Sequence, residues 1–468
     1  MSYKITAVFC NFRLSIMTLP PRHILSKSTF MYGCQCTKRL WLHKFQPEVR
    51  DEETEAQTAI FQAGTDVGLL ARQLFPYGVD ASPPTFYQYQ QSVADTAKYI
   101  RKGVNVIYEA AFQFDGILAA IDILVKKGDQ WYAFEVKGTG SVKPPHIQDA
   151  ALQYYVITHS GLPLEDISIV HLNTDYIRYG ELDIHQLFSS TTILEEVKEQ
   201  QLFILNKAAE LKALLKLKQA PEIGVGEQCF KPYNCDFYGH CTKGLPEEET
   251  EREEANINRK SILEFLKQLK YPLHFMDFET WMTAIPEQDG HWPFRQVPFQ
   301  FSVHIQPKKG DELTHKYYLA EGPHSNHLEF AEKLLDCIGK KGTVLVYNKT
   351  FENTILNHLK EEFAHLAGKI QMIQERIVDL MAPFRKDYRL PAMDWSYSIK
   401  SVLPSLVPEL SYDSLAIGNG GDASAVFYNL KHVEDEMERE ATRKALLEYC
   451  GLDTLAMAKI LEKLKNIE

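Results

Sequence analysis

Residues 273–281 read LHFMDFETW, and the placement of charge in this stretch decides how the carboxyl-terminal half is built. The run reads as a buried strand, yet Asp277 and Glu279 interrupt it two residues apart. Alternate residues of a strand share a face, so the two carboxylates point the same way. Charge in a buried strand is costly unless it is paired or metal-bound, which makes this spacing more informative than the same triplet on a surface.

Two further stretches extend the pattern. VLVYNKTFENTILNHL, residues 344–359, predicts a strand running into a helix, with Asn348 and Glu352 at the junction. LLEYCGLDTLAMAKIL, residues 446–461, puts Tyr449 and Asp453 four apart on one helix, hence on one face. Taken singly, Tyr449 reads more readily as core, and Glu352 as a helix-start carboxylate favoured by the macrodipole. In this order and on these elements, the three stretches resemble the three motifs of the DEDD exonucleases of the DnaQ-like, ribonuclease H-like superfamily. The Y-x3-D spacing resembles their tyrosine branch, DEDDy. The resemblance implies that Asp277, Glu279, Glu352 and Asp453 hold two Mg2+ or Mn2+ ions, with Asp277 bridging them. It implies that Glu279 and Asp453 hold the ion that activates water, and that Tyr449 orients that water at a terminal phosphodiester. Glu352 stands where most families have aspartate.

The amino-terminal half carries its own acidic pattern. GILAAIDILVKKGDQWYAFEVKGTG, residues 116–140, predicts a hairpin with Asp122 on one strand and Glu135 and Lys137 together on the next. Two carboxylates there can hold a hard divalent cation, while the lysine steadies a water or a phosphate charge. The bland alternative is a solvated cross-strand charge pair. A helix carrying Gln153, Tyr154 and Tyr155 follows, and strand, hairpin, strand and helix together resemble the RecB-like branch of the PD-(D/E)XK nucleases. That resemblance gives Asp122, Glu135, Lys137 and Gln153 catalytic positions and makes Asp122 and Glu135 metal ligands. AGTDVGLLAR, residues 63–72, departs from the branch: Gly68 stands where many members carry a metal-binding histidine, and Glu109 is the candidate substitute.

Cys229, Cys235 and Cys241 form a C-x5-C-x5-C array, and Cys34 and Cys36 lie far upstream in GCQCTKRLWL. Four thiolates complete an iron–sulfur ligand set; zinc is the rival, although its paired C-x2-C knuckles are absent, and unligated buried thiols are the bland alternative. The array resembles the cluster-bearing RecB-like nucleases, in which one early cysteine precedes a K/R-R-L-x-L segment and three more close the domain. Cys36, followed by TKRLWL, matches that place better than Cys34. The implied cofactor is a 4Fe-4S cluster on Cys36, Cys229, Cys235 and Cys241, tying the two ends of the domain together.

The chain has 468 residues, 45% hydrophobic and 24% charged, which suits a globular protein of several domains. No run approaches the ~18 apolar residues of a membrane span. With 51 basic against 62 acidic residues, net charge -11, bulk charge does not bind nucleic acid, though a local basic groove remains compatible. Eight cysteines without a secretory signal suggest a reduced, cytoplasmic setting. PEEETEREEAN, residues 246–256, carries six glutamates and reads as a solvated linker. The expected organisation is an extension over 1–16, a nuclease domain over 17–245, a linker over 246–260 and a second α/β domain over 261–468. Met17 offers an alternative start.

Between the second and third acidic motifs lies S-Y-S-I-K-S-V-L-P, residues 396–404, then L-S-Y at 410–412 and G-G-D-A at 420–423. This pattern resembles an uncharacterised bacterial family catalogued as a domain of unknown function, whose members look like this chain over nearly its full length after residue 23. Lys400, Tyr397 and the glycines 418, 420 and 421 could line a strand-binding groove, or form an ordinary insertion. His324, His327, Cys337 and Cys450 read as surface or buried residues without partners.

The expectation is therefore an α/β protein: a restriction-endonuclease-like PD-(D/E)XK domain followed by a ribonuclease H-like domain. Its expected activity is metal-dependent cleavage at nucleic-acid ends, DNA ahead of RNA and single strands first, with a role in repair, recombination or defence. The alternative is a nucleic-acid-binding scaffold with one or both sites degenerate.

Overall fold

A computed structural model of the chain describes residues 22–85, 88–243, 256–325, 327–393, 396–412 and 414–466. The expected extension and the acidic part of the linker, residues 246–255, lie outside them. The described residues divide into two compact units, 22–52 with 63–243 and 287–293, and 53–62 with 256–286 and 294–466. Two short pieces thus belong to the unit opposite the one their place in sequence suggests. Residues 256–260, expected in the linker, begin the secondary structure of the second unit.

The first unit starts with β1 (Leu25–Ser26), α1 (Lys27–Gln35) and α2 (Thr37–Phe45). Then come α3 (Glu55–Ala71), of which residues 55–62 belong to the second unit, β2 (Val79–Asp80), α4 (Tyr89–Arg101), β3 (Val106–Phe114), β4 (Ile117–Lys127) and β5 (Gln130–Lys137). It finishes with α5 (Pro144–His159), β6 (Leu164–Leu172), α6 (Ile184–Leu187), β7 (Phe188–Thr192), α7 (Leu194–Glu199), α8 (Gln201–Leu214) and α9 (Tyr238–Thr242). The sheet order is β2-β3-β4-β5-β6-β7, with β1 also paired to β4. β3, β4 and β5 are antiparallel neighbours and β5–β6 is parallel, so α5 serves as the crossover between those two. Pro144 and Pro145 start α5, where a missing N–H costs nothing. The apolar pattern of 191–218 predicts a single helix, but the β-branched Thr191 and Thr192 pair with β6, and the helix that follows is broken at Gln200.

The second unit runs β8 (Asn256–Ile257), α10 (Arg259–Lys267), β9 (Leu273–Trp281), β10 (Val297–Gln306), β11 (Thr314–Leu319) and α11 (His327–Ile338). It continues through β12 (Thr343–Val346), α12 (Lys349–Glu362), α13 (Ala367–Gln374), β13 (Ile377–Asp379), α14 (Ala382–Lys386) and β14 (Tyr388–Arg389). The closing helices are α15 (Ile399–Leu406), α16 (Gly420–Asn429) and α17 (Glu436–Lys465). The main sheet has the order β11-β10-β9-β12-β13, antiparallel over its first three strands and parallel over its last three. β9 is central and buried along nearly its whole length, which explains its almost unbroken apolar sequence. Asp435 caps α17 by accepting from the Glu438 amide, and this helix packs its Leu446, Met457, Ile460 and Leu461 into the core. Both units are mixed α/β structures.

Candidate active sites

In the second unit, β9 presents Asp277 and Glu279, and α17 brings Tyr449, Cys450 and Asp453 to the same place. The helix is fixed against β10 by three polar contacts. Gln300 Nε2 donates to the Leu446 carbonyl at 2.9 Å, and Thr454 Oγ1 meets Ser302 Oγ at 2.7 Å and His304 Nδ1 at 2.8 Å. Because Ser302 is the register partner of Asp277, these bonds set the height of α17 beside the acidic strand. Ligand atoms of Asp277, Glu279 and Cys450 lie within 4.8 Å of one another, the one such group among the described residues. The Cys450 thiol sits 3.7 Å from Asp277 Oδ2 as a donor.

Burial raises the Asp277 carboxyl well above the carboxylate range, and Asp453, Glu279 and Glu352 push it further. Glu279 is raised by burial and by Asp453. Asp453 is pushed up to about 6 by burial, against the lowering influence of Tyr412 and Lys400. Glu352, at the start of α12, is pushed up to about 8 by burial and by Asp379, and its Oε2 is buried with no hydrogen-bond partner among the described residues. Asn348 precedes it with φ +104°, a left-handed turn from β12 into the helix. Burial and Asp453 hold the Tyr449 phenol far above its ordinary range, so it is a neutral O–H donor. The cluster is short of cations, as a site for divalent metal requires, and oxygen donors suit Mg2+ and Mn2+.

Tyr412 and Lys400 complete the surroundings. Tyr412 Oη donates to Asp453 Oδ1 at 2.6 Å, and its ring lies 6.3 Å from that of Tyr449. The Lys400 ammonium stands 5.5 Å from both ring centroids and donates to the Gly418 carbonyl. Tyr397 is elsewhere: its carbonyl accepts from Tyr347 and its ring lies under Arg389. His327 meets Glu362 at 3.3 Å.

The first unit builds a different cluster. Register pairs Tyr108 with Ile123 and Ala110 with Ile121, which sets Glu109 opposite Asp122; the β4–β5 register continues the line to Glu135. Glu109, Asp122 and Glu135 therefore share one face of three adjacent strands. Lys27 and Lys137 each place Nζ 2.8 Å from Glu135 Oε1, and Lys137 reaches Asp149 Oδ2 at 2.6 Å. Burial would raise Glu135, but Lys137 and Lys27 outweigh it and hold the carboxyl well below its usual range. Asp122 takes the opposite course, pushed up to about 8 by burial and by Glu135, while its Oδ2 accepts from the Val136 amide at 2.6 Å. Gln153 is fully buried with neither side-chain polar atom hydrogen-bonded among the described residues. A Cβ at Gly68 would meet nothing within 4 Å, so the helix has room there for a larger residue.

The cysteines separate as well. Cys34 packs against the first unit's main core, near Lys207 and Glu210. Cys36 and Cys229 lie within electrostatic reach of Cys241, and Cys229 of Cys235. Around them Trp41, Leu42 and Phe237 form a small core of their own, and Asp236 takes ion pairs from Arg39 and Arg50 at 2.7 Å each. Burial pushes the Cys235 thiol up to about 11, so ligand binding there would displace protons.

Four residues of these sites escaped the sequence reading as functional groups. Asp149 lies one helical turn before Gln153, and Cys450 three residues before Asp453, spacings that mark a shared face. Tyr412 sat inside the quoted L-S-Y. Lys27 had no signal beyond its place after the Ser26 cap.

Residues 274–398 match a family model described as a domain of unknown function, DUF2779. That span takes in Asp277, Glu279 and Glu352 and ends before α15. The chain is also similar to the uncharacterized protein UU173 of Ureaplasma parvum serovar 3, 28% identical over 183 residues. The match covers 34% of this chain and 26% of that protein, so it spans about a quarter of the relative's length.

Proposed function

We propose that the second unit is a metal-dependent 3′–5′ exonuclease of the DEDDy type with a ribonuclease H-like fold, acting on single-stranded ends of DNA ahead of RNA. The observation that carries this reading is the crowding of Asp277, Glu279 and Asp453 at one buried point, beside Tyr449 and without an ion pair among the described residues. The strand order β11-β10-β9-β12-β13 supports the fold assignment. Asp277, Glu279, Glu352 and Asp453 would hold the cations. A bound divalent ion lowers the pKa of water and offsets charge gathering on the phosphate. The neutral Tyr449 phenol donates a hydrogen bond that aligns the attacking water with the bond to be broken.

The first unit is read as a RecB-like PD-(D/E)XK domain with a restriction-endonuclease-like fold, closed by an iron–sulfur cluster on Cys36, Cys229, Cys235 and Cys241. Zinc fits the same thiolates; brown anaerobic protein would distinguish the cluster from a colourless zinc form. Lys27 and Lys137 already neutralise Glu135, which favours a strand-binding role over cleavage in this unit.

The test is polarity. In Mn2+ the full chain should release mononucleotides from a 3′-labelled single strand and leave a ladder from a 5′-labelled one, and a 3′-phosphate block should arrest it. Release of the 5′ label first would sink the reading.

A further inference from the structure

Lys400, Tyr412 and Gly420 converge on the acidic face of the second unit. Tyr412, itself buried, donates to Asp453 Oδ1 at 2.6 Å. A Cβ added at Gly420 would lie 3.5 Å from Glu279 Oε2, so the start of α16 runs directly against that carboxylate. The Lys400 ammonium, 5.5 Å from the centroids of both the Tyr412 and Tyr449 rings, lies within electrostatic reach of Asp453 and Glu279. Of the three donors on that ammonium, one is used on the neutral Gly418 carbonyl; the described residues supply no hydrogen-bond partner for the others.

We propose that Lys400 and Tyr412 belong to the reacting site: Lys400 binds a non-bridging oxygen of the strand's terminal phosphodiester, and Tyr412 positions the Asp453 carboxylate. The inference rests on the nuclease reading and adds two residues to its motif set. Charge accounts for the lysine. Two divalent ions balance four carboxylates, and the phosphodiester then brings one further negative charge, for which Lys400 is the nearby cation. Geometry accounts for the tyrosine. Its hydrogen bond fixes one Asp453 oxygen and so orients the carboxylate, as the outer partners of metal-binding carboxylates do. Tyr412 touches no substrate and acts through Asp453.

The test uses the full chain and a 5′-fluorescein-labelled 15-nucleotide single strand, bound in Ca2+ at a series of salt concentrations. Each lost phosphate contact on a single strand flattens the plot of log affinity against log salt by about 0.7. Lys400→Met should flatten it by that amount, while Lys400→Arg should keep the wild-type slope. Tyr412→Phe should leave the slope alone and weaken Mn2+ binding, read by calorimetry, by about 10- to 100-fold. Thermal melting of each variant close to wild type separates these effects from misfolding. An unchanged slope in Lys400→Met, or unchanged Mn2+ affinity in Tyr412→Phe, overturns the respective assignment. Wild type that binds with the expected slope yet releases no mononucleotide in Mn2+ sinks the nuclease reading and leaves the Lys400 contact standing. Failure of the wild type to bind single strands overturns both.

Discussion

Glu135 in the first unit is met by two ammonium groups at 2.8 Å, whereas Asp277, Glu279 and Asp453 in the second face one another. Both clusters bury carboxylates, and burying charge is costly unless something compensates it. The first cluster compensates from within, so Glu135 stays ionised and is held below the usual range. The second compensates with protons, so Asp277 and Glu279 are held above it until cations take the protons' place. Two acidic clusters in one chain can therefore differ in what they ask of the solvent. Asp122 is the first cluster's exception, raised to about 8 by burial and its neighbour Glu135.

The largest effect that would sharpen this contrast is chemical. Glu279→Gln should lower kcat/KM for 3′-end trimming by about 1,000-fold, the loss of several kcal/mol of transition-state stabilisation. Next comes stability. Glu135→Gln removes the carboxylate that Lys27 and Lys137 share and leaves Asp149 as the ion-pair partner of both, so it should cost about 1.5–3 kcal/mol in denaturant unfolding, with no rescue by Mn2+. Mn2+ rescue would place a cation in the first cluster and break the comparison.

A third prediction concerns pH. Carboxyls raised in the folded state keep protons that the unfolded chain has released. The metal-free second unit should therefore lose stability as pH rises from about 4 through the folded values of about 6 for Asp453 and about 8 for Glu352. The Glu135 contribution has the opposite sign: present above the ordinary carboxylate range, it is lost as pH falls toward the depressed folded value. Mn2+ at 100 times its dissociation constant at pH 8 adds about 2.7 kcal/mol there, and the same concentration adds less at pH 5.5, where protons compete for the carboxylates. Differential scanning fluorimetry should accordingly show an Mn2+ shift of roughly 5–10 °C at pH 8 and a smaller one at pH 5.5. Equal shifts at both pH values would contradict protons as the second cluster's compensation.

The smallest expected effect is that of Gly68→His. The new Cβ meets nothing within 4 Å, and replacing a helical glycine should stabilise the unit by roughly 0.3–0.5 kcal/mol, read from urea midpoints. A loss of stability would contradict that open space.

What was legible in the sequence was mostly what one element carries. The two-residue spacing of Asp277 and Glu279 and the four-residue spacing of Tyr449 and Asp453 fix shared faces before any fold is known. The register that brings Glu109 opposite Asp122 was not legible, because it depends on which residues of β3 and β4 pair. Lys27 reaches Glu135 across 108 residues of chain, a contact no local pattern encodes. Cys450 looked like packing because the sequence around a buried thiol does not say what the thiol meets; only the fold sets it 3.7 Å from an Asp277 oxygen. Likewise Thr191 and Thr192 joined a helical pattern until pairing with β6 claimed them.

The central claim, that the second cluster cuts and the first is internally balanced, meets its most direct test in one assay. Anaerobically prepared wild type, Asp277→Asn and Lys137→Ala are incubated side by side in Mn2+ with a 3′-labelled single strand. The account predicts that Asp277→Asn abolishes mononucleotide release while Lys137→Ala trims the end within about threefold of wild type, a difference under 1 kcal/mol in barrier. Trimming that survives Asp277→Asn and disappears with Lys137→Ala would contradict it.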